Sequence, residues 1–253
     1  MGLALAALCA VPLLQSCLGS TAPSVPTGPG SGILFIGNSL TYWNDLPLIV
    51  QAVFDTAGGD RYEVGMIAAP DVSLEDHWND GAARSHIERG GWQIVVLQQG
   101  PSSLPDSRLL LRDYVMRFAG PIRAIGAQPA LYSVWPSRGR QGDFARAIES
   151  YALAAADVNG LFFPVASAWL AAWRRDSTIA LYEPDGLHPS VAGSYLAALV
   201  MYRVISKKTP LGLPAQFRLR DGRAATLPLS LATLLQAAAD EAVLAAQLPS
   251  AHR

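Results

Sequence analysis

The sequence predicts an α/β fold, a three-layer α/β/α sandwich in which one parallel sheet of about five strands lies between two layers of helices. Three observations carry this reading. From Ile33 onward, short apolar runs alternate with stretches of helical periodicity, the pattern that builds parallel sheets through right-handed crossovers. The chain has 253 residues, a length that suits one good-sized α/β domain. No internal repeat or change of composition divides residues 33–253, so they read as one domain.

The first strand is residues 33–37, ILFIG, a compact apolar run of the kind buried on both faces of a sheet. Residues 46–57 follow as a helix, because Leu46, Ile49, Val50, Val53 and Phe54 fall on one face. Further strands are expected at 62–68, 93–98 and 130–134, with a weaker one at 161–163. Helices are expected within 74–89, at 107–125, at 143–158 and from about Ser190. A last helix, 230–247, is rich in alanine and leucine and should pack on the outside of the sandwich.

Composition removes several function classes. Lys and Arg number 19 against 20 Asp and Glu, a net charge of −1, so no basic surface for nucleic acid is implied. Both cysteines, Cys9 and Cys17, lie in the first segment. The rest of the chain therefore has no internal disulfide, no thiol nucleophile and no cysteine metal site. Residues 1–32 read as a separate leader: an apolar stretch over 3–14, too short to span a bilayer comfortably, precedes a Ser/Thr/Pro/Gly tract. This predicts export, with residues 19–32 as a flexible tether. The segment LQSC, residues 14–17, resembles a bacterial lipobox, which implies lipidation at Cys17, membrane attachment through it, and a periplasmic or membrane-anchored protein.

Ser39 stands where the first strand gives way to helix, in GNSLTYW. Such junctions lie at the carboxyl ends of parallel strands, where reactive side chains are presented. The alternative is that Asn38, Ser39 and Thr41 only satisfy turn and cap hydrogen bonds. A serine hydroxyl becomes a nucleophile when a histidine, oriented by a carboxylate, accepts its proton. Of the four histidines, His252 is in the terminal tail and His86 lies among charged residues on a solvated face. His77, in SLEDHWND, reads first as a helix-surface residue, with a place lining a site as the alternative. His188, in YEPDGLHPS, follows Asp185 by three residues in a loop with Gly186 and Pro189, a spacing that lets the carboxylate reach the imidazole ring.

GNSLT resembles the first block of the SGNH (GDSL-type) hydrolases, and DGLHPS their last, in the family's chain order. The resemblance spans residues 33 to about 206. It implies a flavodoxin-like sheet and ester hydrolysis through an acyl-enzyme, with Ser39 as nucleophile, His188 as general base and acid, and Asp185 orienting the histidine. It also implies an oxyanion hole from the backbone N–H of Ser39, a backbone N–H at Asp71 or Val72, and an amide side chain after the third strand. Asp71 or a neighbour stands where the family has glycine, and Gln98 or Gln99, Gln98 first, where it has asparagine. Gln98 carries the same amide donor on one more methylene, which implies a glutamine-bearing branch.

Asn38, Tyr42, Trp43, Gln99 and Trp135 are candidates for the substrate pocket, the aromatics as surfaces for a sugar or an acyl chain. This chemistry requires no metal or organic cofactor. The expected substrate is a small-molecule or glycan ester, with a carbohydrate O-acetyl or similar small-acyl ester first. Two other readings use the same residues: a glycan-binding lipoprotein that kept the fold and lost efficient chemistry, and a phosphate-binding protein using GNSLT as an anion-binding turn.

Overall fold

The computed structural model describes residues 31–248. Cys9, Cys17, the leader and His252 lie outside them. Five parallel strands form the sheet: β1 (Gly32–Gly37), β2 (Glu63–Ala68), β3 (Trp92–Leu97), β4 (Gln128–Tyr132) and β5 (Leu161–Phe163), in the order β2-β1-β3-β4-β5. This is the flavodoxin-like order, in which chain direction switches between the strands flanking β1 and opens a crevice at the carboxyl ends of β1 and β3. Ile33 to Ile36 are essentially without solvent contact, as a central strand covered on both faces requires.

Helices cover both faces. On one lie α2 (Leu46–Ala57), α7 (Val165–Arg175), α8 (Val191–Ser206) and α9 (Leu229–Gln247), packed on one another. On the other lie α3 (Leu74–Asp80), α4 (Ala82–Glu88), α5 (Pro105–Ala124) and α6 (Phe144–Asp157). The single helix expected within 74–89 is two, broken at Gly81, which takes a left-handed conformation (φ +83°). A one-turn helix, α1 (Ser39–Tyr42), precedes α2. Asn44 and Asp45 between them both have positive φ, 55° and 52°, so the chain kinks sharply there.

Two elements were not expected. One is α7, and the other a small antiparallel hairpin, β6 (Gln216–Arg218) with β7 (Ala224–Thr226). The hairpin packs on α2, and its Arg223 pairs with Asp45 at 2.7 Å. Helix α9 is apolar and long enough to cross a membrane, yet it packs against α7 and α8. Strand limits also shift where they matter: β3 ends at Leu97 and β4 at Tyr132. Gln98, Ser133 and Trp135 therefore belong to loops at the crevice end of the sheet.

Candidate active site

Gly37 ends β1 because nothing larger fits. A Cβ there would lie 2.3 Å from both Gln98 Oε1 and Thr41 Oγ1. Asn38 then caps α1, its Oδ1 accepting the Leu40 N–H at 3.1 Å. Ser39 follows as the first residue of that helix, on the floor of a cleft and 8% exposed.

Beneath this turn lies a buried polar network. Gln98 Oε1 accepts the Asn38 N–H at 2.9 Å and the Thr41 hydroxyl at 2.6 Å. Its Nε2 donates to Asn38 Oδ1 at 2.8 Å and to Gln99 O at 2.5 Å. The Tyr132 hydroxyl, 2.8 Å from Thr41 Oγ1 and 3.1 Å from Leu40 O, closes the network. Burial pushes the Tyr132 phenol well above its ordinary range, so it stays neutral. Gln98 has 0% exposure and both amide hydrogens engaged. The expectation that it donates to an oxyanion is thus corrected: its amide reaches back under the turn that bears Ser39 and holds it.

The second assembly is the loop joining residues 182 and 189, which form an isolated antiparallel bridge. Within it Glu183 N–H donates to His188 O at 2.8 Å, and Gly186 turns at φ +71°. Asp185 uses both carboxylate oxygens. Oδ1 accepts the N–H groups of Leu187 at 2.8 Å and His188 at 3.0 Å, while Oδ2 receives the His188 ring Nδ1 at 2.6 Å. The hydrogen bond from the His188 ring, reinforced by the backbone N–H of Leu187, holds the Asp185 carboxyl down at about 2. An ionised carboxylate accepts only, which assigns the proton to Nδ1 and leaves Nε2 free as a base. From outside, Arg138 N–H donates to Gly186 O at 2.7 Å and Trp135 Nε1 to Leu187 O at 2.9 Å.

The two assemblies meet at the kink after α1. The Trp43 indole stacks on the His188 ring, centroids 3.9 Å apart and planes within 14°. Asn44 Nδ2 donates to Pro189 O at 2.8 Å and to Ser194 Oγ at 3.1 Å. Ser39, Asp185 and His188 are thereby gathered at one end of the sheet. No hydrogen bond joins Ser39 Oγ to His188 among the described residues.

The cleft holds about 540 Å³, within the usual range for small-molecule sites. Its walls include Asn38, Asp71, Val72, Gln99, Ser102, Ser103, Arg140 and Leu187. Asp71 takes φ +58°, the left-handed conformation that glycine adopts without strain. Its side chain is exposed. Asn38 Nδ2 donates to Val72 O at 3.1 Å, tying this loop to the turn that bears Ser39. Gln99 lines the cleft with its amide committed: Nε2 donates to Ser102 Oγ at 2.9 Å and Oε1 accepts the Leu74 N–H at 3.2 Å.

Several expectations change. Trp135 does not line the pocket; it is fully buried, stacked on Trp169 at 3.9 Å, and supports the His188 loop from below. Tyr42 is not among the cleft-lining residues, and Trp43 covers the histidine instead of forming a wall. His77 is no surface residue. It is 6% exposed, and its Nε2–H donates to Gly37 O at 2.7 Å, just before the turn that bears Ser39. Burial lowers its pKa below the ordinary 6.5, against the Gly37 hydrogen bond and the nearby Asp76 and Asp80.

The sequence reading also missed Asn44, Tyr151 and the Ser103–Asp143 pair. Tyr151 OH donates to Gln99 O at 2.6 Å and accepts the Gln99 N–H at 3.0 Å, fixing the loop after β3. The Ser103 hydroxyl donates to Asp143 at 3.1 Å. Burial works to raise the Asp143 carboxyl, but this hydroxyl with Arg140 and Arg146 holds it below its ordinary value. Among the described residues, no group of three or more His, Cys, Asp or Glu side chains is placed to hold a metal ion.

No family model and no curated protein matches the chain. Solved structures do. A DUF4886 family protein from Bacteroides uniformis aligns with a TM-score of 0.66 at 16% identity, over 87% of this chain and 97% of its own. An acetylxylan esterase from Geobacillus stearothermophilus aligns with a TM-score of 0.53 at 15% identity, over 70% of this chain and 95% of its own. At those identities the likeness shows the fold. A protein from Slackia heliotrinireducens assigned as an SGNH hydrolase aligns with a TM-score of 0.60 over 70% of this chain. With 31% identity across 99% of that relative, this chain belongs to the SGNH hydrolase family.

Proposed function

We propose that the protein is a serine ester hydrolase acting through an acyl-enzyme on small acyl esters, with O-acetylated carbohydrate as the substrate class. The observation that carries the chemistry is the 2.6 Å Asp185–His188 hydrogen bond, in a loop fastened to the turn that bears Ser39. Ser39 Oγ attacks the ester carbonyl as His188 Nε2 takes its proton. Asp185, ionised and bonded to Nδ1, stabilises the imidazolium so formed. The backbone N–H of Ser39 and that of Asp71 or Val72 face the developing oxyanion. When the C–O bond to the leaving alcohol breaks, His188 returns the proton to that oxygen. Water then repeats the two steps on the acyl-enzyme.

The carbohydrate part of the reading rests on the cleft wall. Among apolar residues, Ser102, Ser103, Ser137, Arg140 and Asp143 line it; Ser102, Ser103, Arg140 and Asp143 are bonded to neighbouring protein groups, and hydroxyl and charged groups of this kind are partners a polyol can hydrogen-bond. The fold likeness to an acetylxylan esterase is consistent with it. Export, with Cys17 as the lipid-bearing residue, belongs to the same proposal and places the enzyme where extracellular glycans are met.

The test is a burst and steady-state assay of the full chain on p-nitrophenyl acetate and on acetylated oligosaccharides. Ser39→Ala and His188→Ala are expected to lose at least roughly a thousandfold in kcat. Turnover that survives in both variants overturns the serine mechanism. Sugar binding without Ser39-dependent turnover on any of these esters replaces it with a glycan-binding role.

A further inference from the structure

The nucleophile and the base sit on segments about 150 residues apart in sequence, and nothing in the Asp185–His188 pair itself relates that pair to Ser39. A carboxylate bound to Nδ1 fixes the imidazole in its own plane. It leaves the ring able to tilt about that bond, and a tilt swings Nε2 toward or away from Ser39. The kink after α1 supplies the missing restraint.

Trp43 is the C-cap of α1, and its backbone N–H donates to Ser39 O. One turn of helix thus separates the hydroxyl from the indole, with a backbone hydrogen bond closing the turn. The indole lies flat on the His188 ring at 3.9 Å and 14°. The next residue, Asn44, holds a left-handed conformation (φ 55°) and reaches Pro189 O and Ser194 Oγ. A non-glycine residue persists there only when its surroundings fix it, and asparagine tolerates the conformation best. Six consecutive residues, 39–44, therefore carry the hydroxyl, a plate against the face of the base, and a clamp on the residue that follows the base. His188 retains 18% side-chain exposure, so the indole shields one face of the ring without closing the ring off from solvent.

We infer that Trp43 is a positioning residue for the general base: its indole restricts tilting of the His188 ring so that Nε2 stays aimed at Ser39. The inference rests on the proposed ester hydrolase reading. The indole face also favours the imidazolium that exists while His188 carries the serine's proton, since a ring face attracts a cation stacked on it. Trp43 stacks on the base and is not among the residues that line the cleft, so its effect falls on the chemical step. In this it differs from a pocket wall, which acts on binding.

The experiment compares Trp43→Leu, Trp43→Phe and Asn44→Ala in the full chain. Steady-state kinetics on p-nitrophenyl acetate are read beside the low-field proton signal of His188 Nδ1–H. Trp43→Leu is expected to lower kcat by roughly 10- to 100-fold, the scale of loss when a reacting group is misplaced by about 1 Å. KM should stay within about twofold, since ground-state binding is not touched. Trp43→Phe, which keeps a ring over the imidazole, should restore most of kcat. The low-field signal should broaden or vanish in Trp43→Leu and persist in Trp43→Phe. Asn44→Ala should give a smaller loss of the same kind.

A rise in KM with unchanged kcat would overturn the inference and return Trp43 to the substrate wall; wild-type kinetics in Trp43→Leu would overturn it outright. Should the wild-type protein show no Ser39-dependent turnover, the hydrolase reading fails by itself. The proton signal then still decides the stacking: its persistence in Trp43→Leu shows that the indole does not fix the ring. Should Trp43→Leu fail to fold, Asn44→Ala decides, and its retention of full kcat refutes the clamp.

Discussion

Replacing Gln98 with leucine separates two roles for this residue, and the geometry says how large each effect should be. The side chain makes four hydrogen bonds, to Asn38 N–H, Thr41 Oγ1, Asn38 Oδ1 and Gln99 O. Three of those partners have a second bond to fall back on. Thr41 keeps Tyr132, Asn38 Oδ1 keeps the Leu40 N–H, and Gln99 O keeps the Tyr151 hydroxyl. The Asn38 N–H has none. Leucine is close to glutamine in volume, so the cost is chiefly one buried unpaired donor, about 1–3 kcal/mol. For a chain of this size that lowers Tm by roughly 2–12 °C. The freed turn carries Ser39, so kcat should fall as well, by up to about 100-fold. Gln98→Asn keeps an amide but is too short to span the same partners, and should lose both stability and rate. Thermal unfolding and p-nitrophenyl acetate kinetics on both variants test this. An unchanged Tm in Gln98→Leu with kcat down a hundredfold or more, or full activity in Gln98→Asn, would show the amide serving the oxyanion and refute the reasoning.

Asp71 holds a left-handed conformation on the cleft wall and, in the proposed mechanism, adjoins the oxyanion, so Asp71→Asn should raise kcat/KM by up to roughly fivefold, since unit charges about 4 Å apart in water interact by about 1 kcal/mol. Asp71→Gly should add relief of backbone strain, visible as a Tm no lower than that of the wild type; a fall in kcat/KM in either variant would show that the carboxylate is used. His77 has a pKa lowered in the fold, so as pH falls through its ordinary value the unfolded chain takes up the proton first and stability is lost on acidification. Unfolding scans between pH 7.5 and 5 should show a decline that Gln at position 77 flattens, and a parallel decline in both proteins would assign it to other groups.

Much of the fold was legible because the strands that matter are short apolar runs with nothing else they could be. Ile33 to Ile36 can only be buried, and the Asp-x-x-His spacing in a Gly-Pro loop has few uses. What escaped reading was of two kinds. Helix α7 carries its apolar residues at Val165, Ala168, Trp169 and Ala172, a helical spacing that was there to be read after Pro164. The β6–β7 hairpin announces itself only through Asp221–Gly222, since three-residue strands leave almost no periodicity. The second kind depends on contacts between distant segments. Nothing local in HWND says that His77 will meet the carbonyl of Gly37, or that Trp135 will be walled in by Trp169. The aromatics near the site were legible as aromatics, and only the fold could give them their places.

Those places decide what kind of site this is. An amide after the third strand, free to donate, would have added a third hydrogen bond to the oxyanion, and each such donor is worth on the order of 10²–10³ in turnover. Here that amide is consumed in holding Asn38, and the proposed mechanism leaves only backbone groups as oxyanion donors. Backbone donors cannot rotate away, so their value depends on how rigidly the turns are fixed. Gln98 fixes the turn at Ser39, Asn38 ties that turn to the loop at Val72, and Asn44 ties it to the loop of His188. Under the proposed mechanism the oxyanion depends on this braced backbone, which predicts activity lost through loosening as readily as through loss of a catalytic group.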